Sequence, residues 1–170
     1  MSGKVIGKSL NYGFAGAFAR TPDMVIETRS AESNIKFGDP VIAGATAGSV
    51  KKADATLTAA NFVGIAGAEV KSAFDYANQG EGSYKQYDAT PVMQRGSINV
   101  VCKNGTPALY GPVYVAITTS AFTGAEVGDI MAAGTGTLNT DYIQLTNAQW
   151  GGPKDANGVA ELVLLTRVNA

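Results

Sequence analysis

The chain has 170 residues, a net charge of −1 and no histidine. Its charged fraction is 16%, against roughly 25% for an average soluble chain, and it holds 21 glycines. This composition excludes the basic stripe that nucleic-acid backbone binding needs and any catalysis through a histidine base. It describes one compact domain with a flat, weakly charged surface suited to broad protein contact.

Residues 1–30 read as an extended arm followed by a first short strand. Tyr12, Phe14 and Phe18 stand without helical period among Gly13, Gly16 and small alanines, and each glycine costs a helix about 1 kcal/mol. Such a segment either docks on a partner or straps onto its own core. Thr21-Pro22-Asp23 signals a turn, and residues 24–28 predict a short strand. Residues 40–43 and 49–52 bracket a glycine-bounded turn and predict a hairpin. Residues 54–61, small and led by Asp54, predict a short helical turn. Residues 62–71 return to strand. Residues 72–85 hold Asn78-Gln79-Gly80-Glu81-Gly82-Ser83 and predict a long loop, a candidate contact element. Residues 92–103 predict a long strand that ends at the hairpin dipeptide Asn104-Gly105. Strands are expected at 112–118, 130–131 and 142–146. Asp155-Ala156-Asn157-Gly158 predicts a tight turn. Residues 159–168 predict a closing strand whose Val163-Leu164-Leu165 run suits burial on both faces.

Candidate chemistry is sparse. The lone Cys102 follows Val100-Val101 and reads as a small buried hydrophobe. The aspartates stand singly beside turn residues, where local backbone bonding accounts for them, so no metal set, cofactor site or catalytic residue is expected. The glutamates give no paired-carboxylate signal of the glycosidase kind. A Ser–Lys dyad at Ser9 or Ser72 beside Lys8 or Lys71 has only adjacency in its favour. Gly134-Thr135-Gly136-Thr137 lacks the basic residue of a phosphate loop. Trp150, before Gly151-Gly152-Pro153, is a core or interface anchor. No apolar run approaches the roughly 20 residues of a membrane helix, and no cleavable leader is legible in the first residues. Synthesis in the cytoplasm, with no membrane and no nucleic-acid partner, is expected.

A cadence runs twice. Phe37-Gly38-Asp39-Pro40-Val41 leads through Phe62-Val63-Gly64-Ile65-Ala66 to Arg95-Gly96-Ser97-Ile98-Asn99-Val100-Val101. Tyr110-Gly111-Pro112-Val113-Tyr114-Val115 leads through Val127-Gly128-Asp129-Ile130-Met131 to Glu161-Leu162-Val163-Leu164-Leu165. Strands punctuated in this way predict a mainly β fold with little helix: a small barrel or sandwich spanning residues 31–170, built of two related halves (about 37–101 and 110–168) and preceded by the arm.

The order of these segments resembles the structural cement, or capsid decoration, proteins of tailed bacteriophages. The resemblance begins at Asn11-Tyr12-Gly13-Phe14-Ala15-Gly16-Ala17-Phe18-Ala19-Arg20. It continues through Pro22-Asp23-Met24-Val25-Ile26, Ile35-Lys36-Phe37-Gly38-Asp39-Pro40-Val41, Phe62-Val63-Gly64-Ile65-Ala66, Tyr84, Val92-Met93-Gln94-Arg95-Gly96-Ser97-Ile98 and Gly111-Pro112-Val113-Tyr114-Val115, and closes at Glu161-Leu162-Val163-Leu164-Leu165-Thr166-Arg167. It implies a β domain on the outer face of a phage head in the virion. Its expected partners are the major capsid protein and itself, as a homotrimer, and no active site is implied. Contact is expected through the arm, with Tyr12, Phe14, Phe18 and Arg20, and secondarily through the 72–85 loop with Tyr84 and the Trp150 region. Competing readings are a tail-tube or head–tail joining protein, which copy number separates, and a carbohydrate-binding module or small hydrolase, which the few aromatics disfavour.

Overall fold

The computed structural model describes residues 11–69 and 82–166. Among these the fold is all strand: β1 (Phe18–Ala31), β2 (Ile35–Lys36), β3 (Pro40–Ala43), β4 (Ser49–Lys52), β5 (Phe62–Ala66), β6 (Ser83–Tyr84), β7 (Ala89–Val101), β8 (Pro112–Ala116), β9 (Ile130–Met131), β10 (Tyr142–Trp150) and β11 (Val159–Leu164). The mainly β expectation holds. Nine strands form one sheet in the order β1-β4-β3-β5-β7-β11-β10-β8-β9, and β1 also pairs with β7. The pairings β1–β4–β3–β5–β7–β1 therefore close a five-strand ring. The second half continues outward from it through β11. The ring is the barrel-like part, and β11-β10-β8-β9 is an open extension.

β7 is the spine. One edge pairs with β1 along most of its length, from Ile98 opposite Phe18 to Ala89 opposite Ser30. The other edge pairs with β5 at Val92 and Met93, then with β11 from Gly96 to Val101. β7 is accordingly buried on both faces over most of its length. Gly96, at φ 119°, sits where β1 bulges, and a side chain there would meet the Asp23 carbonyl at 2.8 Å. The bulge adds local twist and lets β1 bend across the spine.

Strand alternation sorts the side chains of the ring. Ile42, Ile65 and Met93 join the main core with Val113, Val115, Leu145, Trp150, Leu162 and Leu164, so both halves of the chain share one apolar cluster. Their neighbours Val41, Ala66 and Val92 pack instead with Ala31, Val50, Ile35 and Tyr84.

Part of this punctuation has a local cause. Three strands start from a four-residue turn closed by an aspartate: Lys36–Asp39 before β3, Lys85–Asp88 before β7 and Glu126–Asp129 before β9. In each, the aspartate N–H donates to the first carbonyl of the turn at 3.0–3.1 Å. Its carboxylate accepts the first residue's N–H at 2.8–3.0 Å. Two backbone N–H groups and one carbonyl are thereby satisfied, as Asx bonding does in turns.

Four local expectations are corrected. Residues 54–61 form two tight turns and no helical turn. Asp54 accepts from its neighbour Thr56, and Asn61 ties back to Thr58 and Thr56, so side chains compete with helical bonding. The first strand is 14 residues long, because β7 supplies a ladder from Phe18 onward. Asn104-Gly105 does not join paired strands. It turns against Ala132 and Ala133, since β7 already has β1, β5 and β11 as partners. The strand expected over 62–71 ends at Ala66. Most of the 72–85 loop lies outside the described residues.

Candidate functional site

Residues 11–20 form a strap laid across the chain's own sheet. The Gly16 N–H donates to Asn99 O at 2.7 Å, Asn99 N–H donates to Ala17 O at 2.8 Å, and Ala68 N–H donates to Gly16 O at 2.8 Å. Gly16 is required here. It has φ 82°, and a Cβ would lie 2.9 Å from Ala68 N and from Phe37 Cβ. The Tyr12 N–H donates to the Asp155 carboxylate at 2.9 Å, and the Asn99 amide donates to Tyr12 O at 2.7 Å. The strap reading of the arm therefore describes residues 11–20.

A charged fork completes the attachment. Arg20 Nε and Nη2 donate to the two carboxylate oxygens of Glu161 at 2.6 and 3.0 Å. The Arg20 side chain is 72% exposed and that of Glu161 only 3%. A buried carboxylate needs its partner, and Gly151 leaves room for it, since a Cβ there would press on Glu161 Cδ at 2.7 Å. The bond from Glu161, and then its charge, raise the Arg20 pKa above its ordinary value.

What the strap presents outward is aromatic. Phe14, at the start of its turn, is 62% exposed. Phe18 is partly exposed, with its ring edge laid on Gly67. Tyr12 lies over Gly152, its hydroxyl 3.2 Å from where a Cβ would stand. Tyr12 and Tyr110 both lie near Arg20. Tyr110 and Leu109 are exposed neighbours on a turn hooked to the end of β10 by Tyr110 N–H donating to Trp150 O at 2.8 Å. Exposed Phe, Tyr and Arg on a fixed backbone have the composition of an interface hot spot.

Tyr84 and Trp150 are placed differently. Tyr84 is buried and packs on Phe37 with ring centroids 5.1 Å apart. Its hydroxyl donates to Gly67 O at 2.7 Å and accepts from Glu69 N–H at 3.1 Å. Burial pushes its pKa to about 12. Its role here is to hold the Gly67 shelf under Phe18. Trp150 is fully buried in the main core, as the core alternative has it. Leu109 and Tyr110 are not among the contact residues expected from sequence: Tyr110 is visible there only as the opening of the second cadence, where an aromatic before Gly-Pro reads equally as core and as surface.

Burial raises the Cys102 thiol pKa and so disfavours a thiolate. No group of three potential metal-ligating side chains occurs among the described residues. A cleft of about 150 Å³ near the starts of β3 and β9 is lined by Lys36, Lys52 and Lys103 against Asp39, Glu126 and Asp129. It is smaller than the roughly 300–1,000 Å³ of ordinary ligand pockets, and Asp39 already faces Lys52 at 3.8 Å.

No curated protein sequence matches the chain. Among solved structures it is similar to a chain of the capsid of Myoviridae phage XM1, with a TM-score of 0.68 and 22% identity over 98% of each chain. That likeness establishes a shared fold. Residues 3–165 match the family described as structural cement protein (E217 gp24/Pam3 gp6). The match spans nearly the whole chain, and the protein belongs to this phage structural cement family, as a capsid-binding structural component of the virion.

Proposed function

We propose that the protein sits on the outer face of the phage head and bridges neighbouring major capsid subunits, with the strap as its contact element. The observation that carries this reading is the strap itself. Its backbone is bonded to the spine, to residue 68 and to Asp155, while Phe14, Phe18 and Arg20 are exposed. Anchors held in place before binding lose little conformational freedom on binding, so more of their buried area becomes affinity. Repetition over a lattice multiplies modest contacts by avidity.

A structural, non-enzymatic role fits this arrangement. The net charge of −1 supports a protein partner over a nucleic acid. Self-association as a homotrimer belongs to the same reading, since a symmetric closed assembly presents several straps to several subunits at once. The test is head stability. Expanded heads purified from a phage lacking this protein should release DNA at a higher temperature once the protein is added. An unchanged release temperature at saturating protein contradicts the reading.

A further inference from the structure

Eight four-residue turns among the described residues share one geometry: the fourth N–H bonds the first carbonyl, and the third residue has positive φ. Such turns demand glycine or asparagine at the third place, because a Cβ is strained there. Five have glycine, including Gly38 and Gly128, and one has Asn139 at φ 64°. The other two have tyrosine, Tyr87 at φ 72° and Tyr110 at φ 61°. Tyr87 occupies, in the Lys85–Asp88 turn, the position held by Gly38 and Gly128 in the two other aspartate-closed turns. Neither ring is sheltered in return: Tyr87 is 80% exposed and Tyr110 72%. The fold thus carries backbone strain at two places where the side chain gains almost no burial. Strain of this kind concentrates at functional contacts.

The two tyrosines stand at opposite ends of the spine. Tyr87 N–H bonds Ala31 O beside the start of β7. Tyr110 bonds Trp150, which lies opposite Leu162, itself opposite Ile98. The nine residue-to-residue steps from Ala89 to Ile98 separate these levels by about 30 Å at strand rise. One end carries the strap, Arg20 and Tyr110; the far end carries Tyr87.

We propose that Tyr87 and Tyr110 are anchors for capsid subunits, retained against the backbone's preference for glycine, and that Tyr87 supplies a second contact remote from the strap. This rests on the capsid-binding reading above. Each ring would enter a pocket with apolar walls and an acceptor for the phenol. Two contacts about 30 Å apart along the spine let one molecule reach two places on the shell, as bridging requires.

The test uses full-length protein carrying Tyr87→Gly, Tyr110→Gly or both, with Tyr87→Asn and Tyr110→Asn as variants that relieve the strain while keeping a side chain. Thermal unfolding and binding to expanded heads lacking this protein are measured together. Each single variant should unfold at the same temperature or roughly 2–4 °C higher, yet bind heads roughly 10–30-fold more weakly. Variants that bind as tightly as wild type overturn the proposal while leaving capsid binding intact. A marked fall in unfolding temperature in both the glycine and asparagine variants also overturns it, by showing that the rings support their own fold. Wild-type protein that does not bind heads overturns the capsid reading, and the proposal with it.

Discussion

Replacing Phe14 by alanine separates binding from folding. An aromatic side chain offers about 200 Å² to a partner. Phe14 is 62% exposed, so about 125 Å² is available, worth about 3 kcal/mol at about 25 cal/mol per Å². This is a ceiling, because ordering and imperfect desolvation take part of it. A loss of about 1.5–3 kcal/mol is expected, which is roughly a 10–100-fold rise in Kd. The same exposure means that folding gains little from the ring, so stability should stay within about 0.5 kcal/mol of wild type, or about 1–2 °C in Tm. The assay is titration of labelled protein onto expanded heads lacking it, at low occupancy so that avidity does not mask the loss. A Kd within about twofold of wild type, with Tm unchanged, would refute the strap as the contact.

Other substitutions probe the parts that hold the strap and core. Trp150→Ala should cost about 3–5 kcal/mol, the value for deleting a large buried aromatic, and calorimetry should show it as a lowered Tm. Gly64→Ala places a methyl group against the Met93 carbonyl of the spine and should cost about 3 kcal/mol, a Tm drop of roughly 6–12 °C. Arg20→Ala strands the buried Glu161 carboxylate; amide exchange at Gly16, Ala17 and Asn99 should accelerate while the β10–β11 pairing keeps its protection. The pKa of Glu32 is lowered to about 2, first by the Ser49 hydroxyl, then by the Ala45 and Thr46 N–H groups. A depressed carboxylate stabilises above its ordinary pKa of 4.5 and loses that contribution as pH falls toward 2. NMR titration should place Glu32 near 2, and a value at 4 or above would contradict the bonding of the 44–48 turn.

Strand starts were legible because their chemistry is local. The aspartate-closed turns before β3 and β9 bond within four residues, and the Gly-Asp pair in each is visible in the chain. The same turn before β7 was hidden, since Tyr87 stands where glycine was expected. Pairings across long separations left no such trace. β1 is long because β7 lies beside it, and its Glu27-Thr28-Arg29-Ser30 run shows no apolar–polar alternation in the sequence. Tyr84 and Trp150 show how a candidate site goes astray. An aromatic among glycines reads alike whether its ring faces solvent, as in Phe14, or closes the core, as in Trp150; only the sheet on the other side decides. The strap's own docking depends on Asn99 and Glu161, more than 80 and 140 residues away from their partners.

The most direct measurement of the central claim is quantitative peptide mass spectrometry of purified phage particles carrying this protein. A cement protein that bridges subunits over the whole shell should be present in numbers comparable to the major capsid protein. A few copies per particle would contradict that role and return the chain to a joining or tail function, and none would contradict it and return the chain to the binding-module or hydrolase reading.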